Sequence, residues 1–229
     1  MIQSSNNSLK RIHSILIFLT ICCGAMNITY VCMQPESDAH AVFFCAIQYI
    51  VLLVILLLPA IVQRCFNIRF PLHMVVAFAT FAFLTMVLGD GLGFYGRFTW
   101  WDSLAHLFSG SVLALIGVWI TTLLSKDDAQ HILSNKYLLA FIVAMFGITC
   151  GSIWEVCEYT YDAFTGTNTQ QFMATTTSSI TSPEDVPLCG HDALQDTMMD
   201  TILNLIGSTI VAVGTIFFHN QLLHLCSSE

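Results

Sequence analysis

The chain has 229 residues, of which 55% are hydrophobic and only 10% are charged, and its mean hydropathy is +0.73. Soluble globular proteins are about one quarter charged, so this composition excludes that class and indicates an integral membrane protein. The formal net charge of −8 disfavours nucleic acid as a partner, because an acidic surface repels a polyanion.

Six apolar runs are each long enough to span a bilayer, for which a helix needs ~20 residues. They cover residues 12–34, 41–63, 69–90, 102–124, 136–159 and 197–218. We therefore predict an all-α, polytopic protein of the cell membrane, in which residues 1–229 form a single domain of six transmembrane helices. The alternative has five spanning helices, with the last apolar run lying peripherally.

The basic residues predict the orientation of these helices. Six of the seven Lys and Arg residues fall on one side of the predicted spans, namely Lys10, Arg11, Arg64, Arg69, Lys126 and Lys136. Short loops rich in Lys and Arg stay in the cytoplasm, so we predict that both termini are cytoplasmic. Twelve of the fifteen acidic residues then map to the outer side, where their field concentrates cations.

Two connections between spans have distinctive sequences. After the third span comes "GDGLGFYGR", whose glycines permit tight turns. The long connection, residues 160–196, contains a Thr/Ser-rich run that ends in proline. We predict that it is an extracytoplasmic loop and that it is partly mobile.

The fourth, fifth and sixth spans carry ionisable or amide side chains inside apolar sequence. These are Asp102 and His106 in "WWDSLAHLFSG", Glu155 and Glu158 in "WEVCE", and Asp196, Asp200 and Asn204 in "DTMMDTILN". Residues three or four apart share one face of a helix, so each set forms a stripe. Under the predicted topology all three stripes lie at the outer ends of their helices.

Small residues continue each stripe deeper into the span. They are Ser109, Gly110 and Gly117 in the fourth span, Gly147 and Gly151 in the fifth, and Gly207, Ser208 and Gly214 in the sixth. Small residues allow helices to approach closely in lipid. We therefore predict that the three polar faces point at one another.

Five carboxylates in one partly dehydrated pocket repel one another, so either a cation balances them or some of them are protonated. No Lys or Arg lies in these three stripes. One imidazole with several carboxylates is a ligand set suited to Mg, Mn or Fe, and possible for Zn with an open position. We predict a divalent metal held among Asp102, His106, Glu155, Glu158, Asp196, Asp200 and Asn204.

Structural roles stay open for single members of this set. Asn204 could equally be an interhelical hydrogen-bonding residue, and Asp102 could cap its helix and interact favourably with the helix dipole. Asp162 lies near the predicted membrane boundary and is assigned no role. For the cluster as a whole, function is favoured, because ionisable residues inside membranes are costly and usually functional.

At these residues the chain resembles the YjdF-like family of bacterial inner-membrane proteins, whose function is uncharacterised. The resemblance rests on "WWDSLAHLFSG", "WEVCEY", "GTNTQ" at residues 166–170 and "DTMMDTILNLIGS". More distantly, the chain is similar to VanZ-like membrane proteins, which are associated with glycopeptide-antibiotic resistance. This similarity rests on a helix with Asp and His that is followed by a helix with the pattern D-x3-D-x3-N-x2-G. The resemblance implies the fold and the site, but it names no reaction.

Three function hypotheses follow. The first is a metal-dependent enzyme at the outer leaflet, either a hydrolase or a lipid-modifying enzyme, that acts on a lipid or lipid-linked substrate. Its catalytic residues would be His106, Glu155 and Asp200. The second is a cation- or proton-coupled transporter. The third is a non-catalytic binding or stress-resistance protein. The chain has neither a G-x-S-x-G nor an HExxH motif, which disfavours a serine hydrolase and a zincin-type protease.

Overall fold

The structure is a computed structural model that describes residues 2–34, 39–68, 70–125, 130–174 and 186–227. Three features of the sequence analysis lie outside the described residues. They are Arg69 and Lys126, which contribute to the predicted orientation, and residues 175–185 of the long connection.

Among the described residues, six helices are long and apolar enough to cross a membrane, as predicted. They are Asn7–Met33, Cys45–Phe66, Leu72–Gly91, Trp101–Leu124, Lys136–Thr165 and Asp192–Phe217. The described residues form no β-strand, only an isolated antiparallel bridge between Met173 and Pro187. The protein is therefore an all-α, multi-pass membrane protein, as its composition requires.

The first of two compact units contains the helices up to Tyr95. They are α1 (Ile2–Met33), α2 (Ala39–Phe66) and α3 (Leu72–Ala82), which continues as a π-helix over Phe83–Gly91. Helix α3 begins after Pro71, where a proline suits a helix start because its missing N–H has no helical partner there. The π-helix was not predicted.

A polar contact ties the three helices of this unit together. The side-chain amide of Asn27 donates hydrogen bonds to the Tyr49 hydroxyl (2.6 Å) and to the Gly91 carbonyl (2.7 Å). Around it the core is aliphatic, with Leu52, Leu56 and Val87 essentially buried. Beyond Gly91, the positive φ of 68° at Gly93 confirms the tight turn predicted there.

The second compact unit covers Gly96–Ser227. A single helical turn, α4 (Phe94–Arg97), leads into it. Its helices are α5 (Trp101–Leu124), α6 (Gln130–Ser134), α7 (Lys136–Thr165), α8 (Gln195–Phe217) and α9 (His219–Ser227). Helices α5, α7 and α8, the fourth, fifth and sixth predicted spans, pack against one another.

Glycines permit this packing, as predicted. A Cβ atom on Gly110 would collide with the main chain of Asn204, and one on Gly207 would collide with the carbonyl of Leu107. On α7, Gly147 and Gly151 are in similarly close contact with side chains of α8. The prediction for Gly214 is wrong, because within the described residues no atom of another helix lies within 4 Å of the position that its Cβ would take.

Helix α7 is longer than predicted, so the connection after it is shorter than residues 160–196. The helix continues to Thr165 and ends where Gly166 adopts a left-handed conformation with φ 68°. Residues 160–165 contain no Gly or Pro, so nothing stops the helix before Gly166. The prediction that the whole chain forms a single domain stays a prediction.

Candidate metal centre

Three side chains from two helices meet where α5 and α8 begin. Nε2 of His106 lies 3.6 Å from Oδ1 of Asp102 and 3.6 Å from Oδ2 of Asp200. The ligand atoms of the three residues all lie within 4.8 Å of one another, so one point lies within about 2.8 Å of all of them (4.8 Å divided by √3). Metal–ligand bonds are about 2.0 to 2.6 Å long, so small shifts would complete a site.

Local structure explains why these groups meet. Asp102 and His106 occupy successive turns at the start of α5, on one face of the helix. Asp200 lies in the second turn of α8, which Gly110 and Gly207 allow to approach α5 closely. His106 is 8% exposed and Asp200 3% exposed, so both are buried at the helix interface.

Glu155 adds a carboxylate from α7, on the other side of the imidazole. Its Oε1 lies 3.8 Å from Nδ1 of His106, and the residue is only 7% exposed. Metal-binding histidines commonly present their second ring nitrogen to a carboxylate in this way. The other oxygen of Glu155, Oε2, is buried and has no hydrogen-bond partner within the described part of the chain.

The spacing of these four groups fits a bound cation. Their closest contacts of 3.6 to 3.8 Å are longer than hydrogen bonds, which span about 2.7 to 3.2 Å. The buried groups therefore do not satisfy one another directly. A cation between Asp102, His106 and Asp200 would balance their charge and use their lone pairs, so the donor set present fits a divalent metal.

Asp196 is joined to the cluster by Gln171, a residue without a role in the sequence analysis. Nε2 of Gln171 donates to Oδ1 of Asp196 (2.8 Å) and to Oδ2 of Asp102 (3.3 Å). Gln171 adopts a φ of 48°, which a non-glycine residue rarely does without a structural reason. It directly follows the "GTNTQ" stretch, and that adjacency is the signal that could have found it.

Asp162 anchors the segment that carries Gln171. Its Oδ1 accepts hydrogen bonds from the Thr167 hydroxyl (2.7 Å) and from the amide and hydroxyl of Thr169 (2.8 and 2.7 Å). Its Oδ2 accepts from the Gln170 amide (2.9 Å). Asp162, to which the sequence analysis assigned no role, is therefore a buried anchoring residue, 6% exposed.

The chain belongs to the DUF2238 family of predicted membrane proteins, whose model matches residues 13–221. It is also similar to an uncharacterized protein of Thermotoga maritima, with 24% identity over 155 residues, which cover 67% of each chain. No solved structure matches. A membrane family without an assigned function agrees with the YjdF-like resemblance, whereas the similarity to VanZ-like proteins stays a prediction.

Within this DUF2238 fold, the remaining predicted ligands lie outside the group of three. Glu158 accepts a hydrogen bond from Nε1 of Trp154 (3.0 Å) on the same helix. Asn204 is buried against Gly151, with Nδ2 3.5 Å from the Ser109 hydroxyl. Asp102 does not cap α5, whose start has no side-chain capping bond. Coordination of a metal by Glu155, Glu158, Asp196 or Asn204 stays a prediction.

Proposed function

We propose that this protein is a membrane-embedded, metal-dependent hydrolase. The observation that carries the proposal is the convergence of Asp102, His106 and Asp200, whose ligand atoms lie within 4.8 Å of one another. Buried ionisable groups inside membrane-spanning helices destabilise the fold, so a cluster of them indicates a function. The predicted orientation puts this centre near the outer leaflet, where a lipid or lipid-linked substrate is available.

In this proposal Asp102, His106 and Asp200 hold the cation, which is Mg, Mn, Fe or Zn. The bound cation supplies Lewis acidity toward an ester or phosphoester oxygen and toward a water molecule. Oε1 of Glu155, at 3.8 Å from Nδ1 of His106, keeps the imidazole oriented so that Nε2 faces the carboxylates of Asp102 and Asp200, with which it would hold the cation. Asp196 and Gln171 position Asp102 from the opposite side.

Glu155 is the general base of the proposed reaction. Its Oε2, free of hydrogen-bond partners in the described chain, accepts a proton from water, and the water oxygen forms a bond to the carbonyl carbon or phosphorus. The ester C–O or P–O bond breaks, and the proton passes from Glu155 to the leaving oxygen. One water molecule is consumed, and an acid and an alcohol are released.

The metal is tested by elemental analysis of the detergent-purified protein. We expect near-stoichiometric divalent metal in the wild type and its loss in His106→Ala and in Asp200→Asn. His13→Ala is the matched control, because His13 lies in the other compact unit, where its Nε2 is hydrogen-bonded to the Leu56 carbonyl. Little metal in the wild type, or metal retained in both site variants, would overturn the proposal.

Glu155→Gln separates metal binding from catalysis. Because Glu155 lies outside the group of three ligands, the variant is expected to keep its metal. Hydrolysis should fall about 100-fold or more, the usual contribution of a general base. The assay is mass spectrometry of fatty acid and headgroup released from vesicles of phosphatidylethanolamine and phosphatidylglycerol. Equal rates in the variant and the wild type would contradict the role of Glu155.

The two other hypotheses draw less support from the structure. A transporter needs polar groups that continue through the bundle, but deeper than Asn204 the buried hydroxyls of Ser208 and Thr215 are bonded to helix carbonyls. A non-catalytic binding or stress-resistance protein would use the same metal centre. It would differ from the hydrolase in showing no turnover in any variant while retaining its metal.

A further inference from the structure

The side-chain amide of Gln170 bridges α7 and α8 next to the metal centre. Its Nε2 donates to the hydroxyl of Thr197 in α8 (3.0 Å) and to the main-chain carbonyl of Glu155 in α7 (3.5 Å). The main-chain amide of Gln170 donates to Oδ2 of Asp162 (2.9 Å), so both ends of the residue are held. Gln170 therefore keeps the Thr197 hydroxyl close to the turn of α7 that carries Glu155.

The Thr197 hydroxyl does not bond to its own helix. Hydroxyl groups in apolar helices commonly donate to the carbonyl one turn earlier, as those of Thr121, Thr160 and Thr215 do in this protein. In the described part of the chain Thr197 makes no such bond, and its oxygen accepts from Gln170 instead. A hydroxyl has one proton to donate in addition to its acceptor lone pairs. The proton of Thr197 is therefore left for an acceptor on another element.

The Glu155 carboxylate is the acceptor next to that proton. Glu155 and Thr197 line one cavity between the end of α7 and the start of α8, where the Thr197 hydroxyl interacts with the carboxylate. Glu155 is 7% exposed, and no donor of the described chain lies within hydrogen-bonding distance of its buried Oε2. A buried acceptor without a partner destabilises a fold. A small movement of either side chain would pair the two groups.

We propose that Thr197 is a positioning residue, whose hydroxyl donates to the Glu155 carboxylate and fixes the direction in which this general base faces water. The inference rests on the proposed hydrolase and assigns a further residue to its mechanism. The last torsion of a Glu side chain is broad, so a carboxylate without a donor samples many directions. A hydrogen bond from Thr197 selects one direction. A carboxylate oxygen has two lone pairs, so it can accept this bond and still take a proton from water.

Two substitutions of Thr197 separate its hydroxyl from its shape. Thr197→Val keeps the shape and removes the hydroxyl, whereas Thr197→Ser keeps the hydroxyl. In vesicles of phosphatidylethanolamine and phosphatidylglycerol, kcat of Thr197→Val should fall roughly 10-fold to 100-fold, the effect of losing one hydrogen bond to a charged group. KM and metal content should stay at the wild-type level, and Thr197→Ser should restore most of kcat. Thr160→Val, at an exposed position of α7, is the matched control.

Gln170→Leu is the second variant, for the case that Thr197→Val does not fold as a monodisperse protein. It removes the amide that holds the Thr197 hydroxyl but keeps the main-chain bond to Asp162. The released hydroxyl can then turn back to a carbonyl of its own helix, as other hydroxyls of the spans do. We expect kcat to fall in this variant too, with KM and metal content unchanged. A wild-type kcat in Gln170→Leu would count against the inference.

Infrared spectroscopy of the purified full-length protein tests the hydrogen bond without turnover. The carboxyl band of Glu155 is the one missing in Glu155→Gln, and it should shift in Thr197→Val but not in Thr197→Ser or Thr160→Val. If the wild type shows no hydrolysis, the proposed hydrolase fails, and a shifted band still supports the bond from Thr197 to Glu155. An unshifted band in Thr197→Val overturns the inference even if metal binding is confirmed. A wild-type kcat in Thr197→Val, or an equal loss in Thr197→Ser, also overturns it.

Discussion

His106 presents its two ring nitrogens to different partners. Nε2 faces Asp102 and Asp200 at 3.6 Å each, and Nδ1 faces Glu155 at 3.8 Å. An imidazole can bind a metal through one nitrogen only when the other nitrogen carries the proton, and a carboxylate behind it favours that tautomer. In the proposed metal centre, two of the three carboxylates around His106 are ligands, and the third, Glu155, orients the imidazole through Oε1 and serves as the general base through Oε2.

Gln171 should affect metal affinity without being a ligand. Its amide holds Oδ2 of Asp102, so that Oδ1 stays directed at His106. Gln171→Leu removes this donor, and we expect the dissociation constant for Mn²⁺ to rise roughly 10-fold to 100-fold, as for other outer-shell partners of metal sites. Titration calorimetry measures the change, and Gln221→Leu, at an exposed position of α9, is the control. An unchanged affinity would exclude this positioning role.

Asp162 should stabilise the connection after α7. Asp162→Ala removes four hydrogen bonds to a buried carboxylate, and we expect a loss of at least about 3 kcal/mol in the local stability of the segment. Hydrogen exchange at the amides of Thr169 and Gln170 should accelerate strongly. Asp192→Ala, which removes an exposed carboxylate of the turn before α8, should leave this exchange slow. Slow exchange in Asp162→Ala would contradict the assignment.

At the scale of elements, the site depends on how closely α5 and α8 pack. A cation at the Asp102–His106–Asp200 centre needs ligand atoms from both helices within one coordination sphere. Glycine at positions 110 and 207 removes the side chains that would otherwise separate the two backbones. The small residues on these faces therefore allow the ionisable residues of the two helices to come close enough to share one cation.

The same substitution, Gly→Ala, at two positions of α8 tests this packing. Gly207→Ala should destabilise the protein by about 1 to 3 kcal/mol, because the added Cβ meets the Leu107 carbonyl and the main chain has to move. Gly214→Ala should be neutral or stabilising by up to about 1 kcal/mol, because it faces open space and alanine favours helix. Thermal unfolding in detergent compares the two variants. Equal melting temperatures would refute the close contact at Gly207.

The stripes of the three spans could be predicted from sequence because helical spacing fixes which residues share a face. Spacing also led to Asp102, His106, Glu155 and Asp200, since each lies on a face that ends in small residues. It could not find Gln171, because a residue after a helix has no periodic relation to the helices it contacts. The extension of α7 to Thr165 was missed for a related reason, because a polar helix end resembles a loop in sequence.

For the whole molecule, the remaining prediction is its orientation. Cys189 and Cys65 are both exposed, and the predicted topology puts Cys189 outside and Cys65 in the cytoplasm. In intact cells, a membrane-impermeant maleimide should label a variant whose only cysteine is Cys189. The matched variant that retains only Cys65 should react only after the cells are permeabilised. The reverse pattern would place the metal centre at the cytoplasmic leaflet instead.

The metal centre as such is tested most directly by electron spin-echo spectroscopy of the protein loaded with Mn²⁺. A nitrogen nucleus coordinated to Mn²⁺ gives a characteristic modulation. We predict this modulation in the wild type, its persistence in Glu155→Gln, and its loss in His106→Ala. A wild-type spectrum without coordinated nitrogen, or a nitrogen signal that survives in His106→Ala, would show that His106 does not hold a metal.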